Sequence, residues 1–480
     1  MIDVDVIVPV YNTMPYLTRC LRSLVEQTIG LDRLHVIAID DGSTDGSGRE
    51  LDRFAAKYPG TLTVIHQANS GGPAGPCNRA LDVATARYVF FLGADDRLGR
   101  ESLARQVAAA DKWGSDVLLA RVVGVNSRHV EQDIFARSEP EIGLLDSPLA
   151  RSLANTKLFR RELLERHHIR YPEDLPIGSD LPFTLQAVHH ARRVSVLADY
   201  DHYFAVRRFS ATNITYLSRH ALRLRTVEKM LAFLSELLEP GKERDAVLVR
   251  HFAHEVAKLL EDDFLRLDRS TQELVHSGVK RIAEAYLTDD IAEKLSVETR
   301  IRVGVARDGD LADLIAVIRQ DAEVGVPMTV ERDGRLLAAY PKEVDVTTAP
   351  DWRAKLDATA MNWERGVLAI TARTPLADPG PLTVTAEGIP AQTTVDGSAV
   401  RIRFRARDLL AASDASGRRR IVLANTTPVR APAFHRPRPL VRRRGLRLYV
   451  ITPVRDASGR LMISVVPITP RRVLARLMRR

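Results

Sequence analysis

Cysteine is almost absent from this chain: Cys20 and Cys77 are the only two in 480 residues. Two thiols cannot build a disulfide framework, so the sequence suits a reducing compartment. Long apolar runs are missing as well. No stretch is long enough to span a bilayer, and no signal-peptide pattern opens the chain. The expectation is a cytoplasmic protein that reaches the cytoplasmic membrane face only peripherally. Lysine and glutamate vanish from residues 430–480, where fourteen Arg face a single Asp, a local charge of +13 against +9 for the whole chain. Such a segment attracts polyanions or an anionic membrane face. It lacks the aromatic platforms on which single-stranded nucleic acid stacks, which argues against a nucleic-acid partner. A solvated basic surface is the plain alternative.

What is present begins with alternating strands and helices in the first hundred residues. Residues 4–10 read as a buried strand ending at Tyr11-Asn12. Asn12 or Thr13 then caps a helix with Pro15 in its first turn, along which Leu17, Cys20, Leu21 and Leu24 recur at helical spacing. A second strand over 35–39 runs into Asp40-Asp41-Gly42-Ser43-Thr44-Asp45. A helix over 49–58 and a strand over 61–66 follow. The loop from Asn69 to Arg79 opens a helix ending near Ala86, and residues 88–92 form a fourth strand that delivers Gly93-Ala94-Asp95-Asp96. This order predicts a mostly parallel α/β sheet with its chemistry at the carboxyl edge. Adjacent Asp95 and Asp96 are hard oxygen donors of the kind Mn²⁺ or Mg²⁺ takes together with substrate phosphates. Read alone, they are equally a solvated Asp-Asp turn.

Four motifs in this order resemble family 2 glycosyltransferases of the GT-A fold: Ile7-Val8-Pro9-Val10-Tyr11-Asn12, then 40–45, then Asn69-Ser70-Gly71 leading to Asn78, then Asp95-Asp96. The resemblance implies a Rossmann-like catalytic domain with a nucleoside-diphosphate sugar, usually a UDP-sugar, across the strand ends. It assigns Asp41 to the nucleoside base and Pro9, Tyr11 and Asn12 to the loop beside it. Asn69, Asn78, Arg79 and Asp95 join the substrate-binding set, and Asp95 with Asp96 holds the metal against the diphosphate. Asp45 is a turn residue as readily as a ligand. Two departures stand out: Gly93 replaces a customary Asp, and the usual Arg-Asn pair is written Cys77-Asn78-Arg79.

Residues 150–215 carry the second signal. Residues 156–164 are expected to begin a helix, and Gly178-Ser179-Asp180 precedes another that runs through Val188. The family's Lys-Leu-(Phe/Tyr)-Arg and Glu-Asp motifs are similar to these segments. By that match Asp180 is the general base for the acceptor hydroxyl, with Ser179 in place of Glu. An N-cap is the structural alternative for Asp180, and Glu173 and Asp174 are alternative bases in a Pro-rich turn. The segment 200–210 resembles the family's closing strand and basic loop, with Arg207 or Arg208 over the diphosphate. His202 reads as a structural histidine on that strand, or as a donor to metal or diphosphate. The pairs at 167–168 and 189–190 lack metal-ligand spacing and read as helix surface.

From about 226 to 320 the pattern is helical; beyond about 324 it is β. A hairpin turning at Asp333-Gly334, strands at 367–371, 382–385, 400–404, 421–423, 446–451 and 461–466, and Gly-Pro turns read as a sandwich. The expected domains are 1–220 catalytic, 221–323 helical linker and 324–480 β-rich and basic. This layout, with the proline pattern of Gly72-Pro73-Ala74-Gly75-Pro76, resembles the wall-teichoic-acid glycosyltransferases that decorate poly(ribitol phosphate). The resemblance implies an anionic polymer acceptor, a homotrimer formed through the C-terminal region, and inverting transfer of GlcNAc or another hexose. The rivals are a family 2 enzyme of exopolysaccharide or capsule synthesis, and a non-catalytic sugar-nucleotide scaffold favoured by the losses at 93 and 179.

Overall fold

The apolar runs of the first hundred residues become neighbouring strands of one sheet. In a computed structural model the protein is described over residues 2–126, 128, 130–175, 177–207, 220–325, 327–353, 355–377, 379–386, 389–411, 419–424, 429, 437–445, 447–455 and 461–468. Two units divide the chain, Met1–His251 and Phe252–Arg480.

The first unit runs β1 (Val4–Val10), α1 (Leu17–Val25), β2 (Leu34–Asp41), α2 (Ser47–Lys57), β3 (Leu62–Gln67), α3 (Ala74–Val83) and β4 (Tyr88–Phe91). It continues through β5 (Arg97–Leu98), α4 (Ser102–Trp113), β6 (Val117–Ala120), β7 (Val122–Val125), β8 (Glu139–Ile142), β9 (Lys157–Arg160), α5 (Arg161–Arg166), α6 (Asp180–His190), β10 (Val194–Leu197) and β11 (Tyr203–Val206). The helices α7 (His220–Leu237) and α8 (Lys242–His251) complete it. Eight strands form one sheet in the order β3-β2-β1-β4-β9-β6-β10-β8, and β5-β11-β7 form a small second sheet. The pairs β1–β2, β1–β4, β2–β3 and β6–β10 are parallel, while β9 runs antiparallel to both β4 and β6.

Local chemistry explains these choices. β1 carries Asp5 among valines because its buried carboxylate accepts the Thr85 and Ala86 amides at 2.6 and 2.7 Å, tying the segment before β4 to β1. Such a group is tolerated inside only when it is bonded in this way. β1 pairs with β4 only from Val4 to Ile7, so Pro9, which has no N–H, falls beyond that ladder. Leu17, Cys20, Leu21 and Leu24 are the buried face of α1, as their spacing implies.

Several boundaries differ from expectation. Tyr16, not Asn12 or Thr13, occupies the N-cap of α1, and no side chain caps it. The Asn12 carboxamide is used elsewhere, accepting the Thr44 amide. α3 stops at Val83 rather than near Ala86. Residues 157–160 are a strand rather than helix: Leu158 and Phe159 pair with Phe90 and Val89 of β4 and with Leu118 and Val117 of β6, and helix starts only at Arg161. The apolar pair Leu158-Phe159 is wanted at the centre of the sheet, and that outweighs its helical neighbours.

The second unit opens with helices, among them Arg269–Tyr286, Val297–Asp308 and Leu311–Arg319. It then turns to strands: β12 (Thr329–Arg332), β13 (Arg335–Ala338), β14 (Val344–Asp345), β15 (Asp357–Glu364), β16 (Val367–Arg373), β17 (Thr385–Ala386), β18 (Ile389–Pro390), β19 (Gln392–Asp396), β20 (Ala399–Arg405), β21 (Arg419–Ala424), β22 (Leu440–Arg444), β23 (Arg447–Arg455) and β24 (Leu461–Pro467). Asp333 and Gly334, both at positive φ, make the expected two-residue turn between β12 and β13. The sheets β15-β16-β20-β19 and β18-β17-β21-β24-β23-β22 share one core built on Leu368, Ile402, Phe404, Tyr449, Ile451 and Ile463. β20 shows why: its residues alternate exposed and buried along its length. The strand expected at 382–385 is confined to Thr385–Ala386. No helix among the described residues is long and apolar enough to cross a membrane.

Candidate active site

The carboxyl ends of β2, β1 and β4 lie side by side, and each opens into a loop bearing a predicted site residue. Asp41 ends β2. Its buried carboxylate accepts Gln67 Nε2 at 2.7 Å, the Ser70 hydroxyl at 3.0 Å, the Ser70 amide at 3.1 Å and Asn69 Nδ2 at 3.2 Å. Asn69 Nδ2 also donates to the Asp41 carbonyl at 2.9 Å, so the loop after β3 is folded onto Asp41.

Past β1, Tyr11 is half exposed and Asn12 adopts the left-handed conformation at φ 46°. Asn tolerates that region better than most residues. The Asn12 amide donates to the Ser43 hydroxyl, while its side chain receives the Thr44 amide at 2.8 Å. Asp45 receives the Met14 amide at 2.8 Å and both donors of Ser47, which fixes it as a loop organiser. These bonds lash the β1 and β2 loops together.

After β4, Asp95 is half buried and Asp96 buried. Asp96 accepts the Tyr203 hydroxyl and the Val206 amide, each at 2.6 Å, and Arg128 stands 3.9 Å from it. Burial, and then the neighbouring Asp95 charge, push the Asp96 carboxyl up to about 6. The same burial, with the same acid beside it, lifts the Tyr203 phenol. A divalent cation beside two adjacent carboxylates would offset their mutual repulsion. Asp95 and Asp96 fit a divalent ion held partly by substrate phosphates, since each bonded oxygen of Asp96 keeps a lone pair. Among the described residues no three His, Cys, Asp or Glu side chains gather as a complete protein cage. A Cβ at Gly93 would stand 2.9 Å from Asp96 Oδ2 and 3.2 Å from Asp95 Oδ1, so the missing third carboxylate has no room here.

The acceptor half meets this edge through α3. Asn78 spends its whole amide on the segment after α5: Nδ2 donates to the Tyr171 carbonyl and to Glu173, both at 2.9 Å, and Oδ1 accepts the Tyr171 amide at 2.8 Å. Glu173 is thereby engaged, and Asp174 pairs with Lys229 at 2.5 Å. Arg79 is exposed on α3 and makes no hydrogen bond or ion pair to another described residue. Asp180 is the first residue of α6, following Gly178 at φ 71° and Ser179, whose side chain does not cap the helix. Behind it Phe91, Phe159, Tyr171 and Phe183 interlock, with the Tyr171 and Phe183 rings stacked at 4.1 Å.

Lys157 is the residue that motif reading passed over. It is 1% exposed, and its Nζ donates to the Ser152 and Ala154 carbonyls at 2.6 and 2.5 Å. Burial lowers its pKa to about 7, although the Asp180 charge acts to raise it. Asp180 acts likewise on the Cys77 thiol, which burial first lifts. Its carboxylate thus stands within electrostatic reach of β9 and α3. Tyr203 and Ser70 were also missed as anchors, though both lie inside quoted segments; Arg128 has no sequence signal at all.

His202 is fully buried and bonds Asp199 at 3.1 Å, a structural role. His167 stacks on His190 at 4.1 Å. Arg207 follows β11, its amide bonded to the Val125 carbonyl at 3.2 Å; Arg208, Phe209 and Ser210 lie outside the described residues, as does the tail from 469.

Residues 5–166 match the glycosyl transferase family 2 model, and residues 222–318 match the glycosyl transferase TarS linker domain. The chain is 29% identical over 348 residues to a poly(ribitol-phosphate) beta-glucosyltransferase of Bacillus spizizenii, covering 70% of this chain and 53% of that protein. It is 35% identical over 262 residues to the poly(ribitol-phosphate) beta-N-acetylglucosaminyltransferase TarS of Staphylococcus aureus, covering 53% of this chain and 45% of that one. The chain thus spans about half the length of these curated relatives. The crystal structure of S. aureus TarS 1-349 in complex with UDP-GlcNAc superposes with a TM-score of 0.61 at 29% identity, covering 72% of this chain and 99% of that one. A longer TarS crystal structure, at 22% identity and a TM-score of 0.64, shares the fold over 98% of this chain and 86% of its own.

Proposed function

We propose, for a chain whose residues 5–166 are a family 2 glycosyltransferase domain, that it transfers GlcNAc or glucose from a UDP-sugar to a hydroxyl of poly(ribitol phosphate), with inversion and with a divalent cation. One observation carries the reading. Asp41 and the pair Asp95-Asp96 stand at the ends of strands two positions apart in a parallel sheet, β2 and β4 flanking β1. That separation is about 10 Å, the span from a nucleoside base to its diphosphate. A UDP-sugar across the three strand ends would have its uracil at Asp41 and Tyr11 and its diphosphate at Asp95.

The chemistry follows from this placement. When bound, Mn²⁺ or Mg²⁺ would neutralise the charge that develops on the leaving diphosphate. Asp95 and Asp96 would hold it, and the Tyr203 hydroxyl and the Val206 amide orient the Asp96 carboxylate. Asp41, locked by Gln67, Asn69 and Ser70, orients the base, and Asn12 holds the loop that presents Tyr11. Arg79 and Arg207 are assigned to phosphate in this reading. Asp180 takes the proton of the attacking hydroxyl, a contribution of about 10²–10⁴ in rate. The relatives' names specify beta products, and a beta product from an alpha-linked UDP-sugar is an inversion.

Residues 1–220 are assigned the transfer, 221–323 the linker, and 324–480 trimer formation, at the cytoplasmic membrane face where such a polymer is made. Light scattering tests the trimer. The decisive experiment measures UDP release from UDP-GlcNAc and UDP-Glc with Mn²⁺ or Mg²⁺, with and without poly(ribitol phosphate), beside Asp180→Asn. Polymer-stimulated release that the variant abolishes is the expected result. Release indifferent to polymer would overturn the acceptor, and UDP binding without any turnover would overturn the enzyme.

A further inference from the structure

Three separate stretches of the second unit bring six arginines to one cleft of about 530 Å³: Arg365, Arg405, Arg407, Arg442, Arg443 and Arg444. No acidic side chain is among the described residues that line it. The construction is local and specific. Arg365 and Gly366 form the two-residue turn between β15 and β16, and the Gly366 carbonyl accepts the Ala406 amide at 2.8 Å, bringing the end of β20 against the turn. β22 supplies the rest. A Cβ at Gly366 would stand 2.7 Å from the Arg442 guanidinium, so a side chain there would displace that group from the turn.

Four of the six cations, Arg365, Arg405, Arg442 and Arg443, have no carboxylate partner among the described residues, whereas Arg407 pairs with Asp408 at 3.5 Å. Arg443 and Arg444 are braced by the carbonyls of Gly445 and Leu410, at 2.7 and 2.9 Å, which orients each guanidinium. Arg365 adds an independent sign. It sits at φ 47°, the first position of a turn in which both residues are left-handed, where Asn, Asp and Gly are favoured. A charged side chain stands there against local preference.

Converging guanidinium groups on a concave surface focus positive potential, and their forks match phosphate oxygens. A cleft suits a chain with spaced anionic groups better than it suits the plane of a bilayer. We infer that this cleft binds the phosphodiester backbone of the polyol-phosphate polymer, as a holding site separate from the transfer site. The inference rests on the acceptor reading above. A tethered polymer would raise the effective concentration of its hydroxyls for successive transfers.

The test uses the full chain carrying Arg365→Asn, Arg405→Gln and Arg442→Gln, none of which belongs to the transfer site. Arg365→Asn suits the turn, so the melting temperature should not fall on its account. Labelled poly(ribitol phosphate) is followed by anisotropy over a salt series, and vesicles of phosphatidylglycerol by sedimentation. Binding to polymer should weaken at least tenfold at low salt, with the slope of log affinity against log salt reduced by about 2 for three lost contacts at ~0.7 each. Unchanged polymer affinity and slope, loss of vesicle binding alone, or no polymer binding by the parent chain would each overturn the inference. Arginine-dependent polymer binding without UDP release would sustain the cleft and sink the transfer. Polymer-stimulated release of equal apparent affinity in both proteins would do the reverse.

Discussion

Replacing Lys157 with methionine keeps the volume of the side chain and removes the one ammonium buried behind Asp180. Burial holds its pKa near 7 in the folded protein, against about 10.4 for an unfolded lysine. The folded-state value is depressed, so between those values the unfolded chain binds more protons and stability rises with pH. Below about 7 both states carry the proton, and the full cost of the buried charge is present. A shift of about 3.5 units corresponds to roughly 5 kcal/mol, of which about 2 kcal/mol is recovered between pH 7 and 9. Guanidinium unfolding of the full chain and of Lys157→Met at both pH values isolates this quantity, because the two-way difference cancels every other titration the proteins share. The parent should gain about 2 kcal/mol over the variant on going from pH 7 to 9. Equal pH dependence in the two proteins would refute the reasoning, for it would mean that the Ser152 and Ala154 carbonyls solvate the ammonium as well as water does.

Other expectations concern the strand ends. Gly93→Asp presses a third carboxylate onto Asp95 and Asp96; it should destabilise the metal-free chain by about 1–3 kcal/mol, with part regained in Mn²⁺, and an unchanged melting temperature without metal would contradict this. Asp96, held near pH 6 by burial and by Asp95, is an anion above that value and neutral below it. Mn²⁺-dependent UDP binding, read by calorimetry, should therefore weaken as pH falls through about 6, and Asp96→Asn should flatten the profile. Asn78→Ala strands the backbone of Tyr171 and frees Glu173; it should cost about 1–3 kcal/mol in unfolding and lower kcat more than UDP affinity.

Legibility was uneven for physical reasons. The parallel core was readable because β1, β2 and β4 are buried on both faces and so are written as unbroken apolar runs. Asp333-Gly334 was readable because a two-residue turn demands positive φ at both positions. Residues 157–160 were not, since Lys-Leu-Phe-Arg has no strand signature of its own and becomes one only between β4 and β6. Among proposed site residues, Asp41, Asp95, Asp96 and Asp180 were singled out through the resemblance to family motifs, but what holds them was not legible. Tyr203 reaches Asp96 across 107 positions of sequence, and no local pattern encodes that meeting. Asn78 looked like a ligand and is committed to the backbone of Tyr171, because its partner comes 93 residues later.

Two ionisable pairs lie at the proposed transfer site. Burial and the Asp95 charge raise the Asp96 carboxyl, and a divalent cation beside the two would relieve that cost. Lys157 and Asp180 attract one another, but the lysine is bonded to carbonyls and is held near neutrality by burial rather than locked to the acid. In the proposed mechanism, loss of the lysine's charge would leave Asp180 a stronger base. A fixed cation beside Asp180, as in an ordinary ion pair, would weaken the base it steadies. In the proposed reaction, burial of Lys157 would favour Asp180 as a base, while burial of Asp96 would favour a cation beside it.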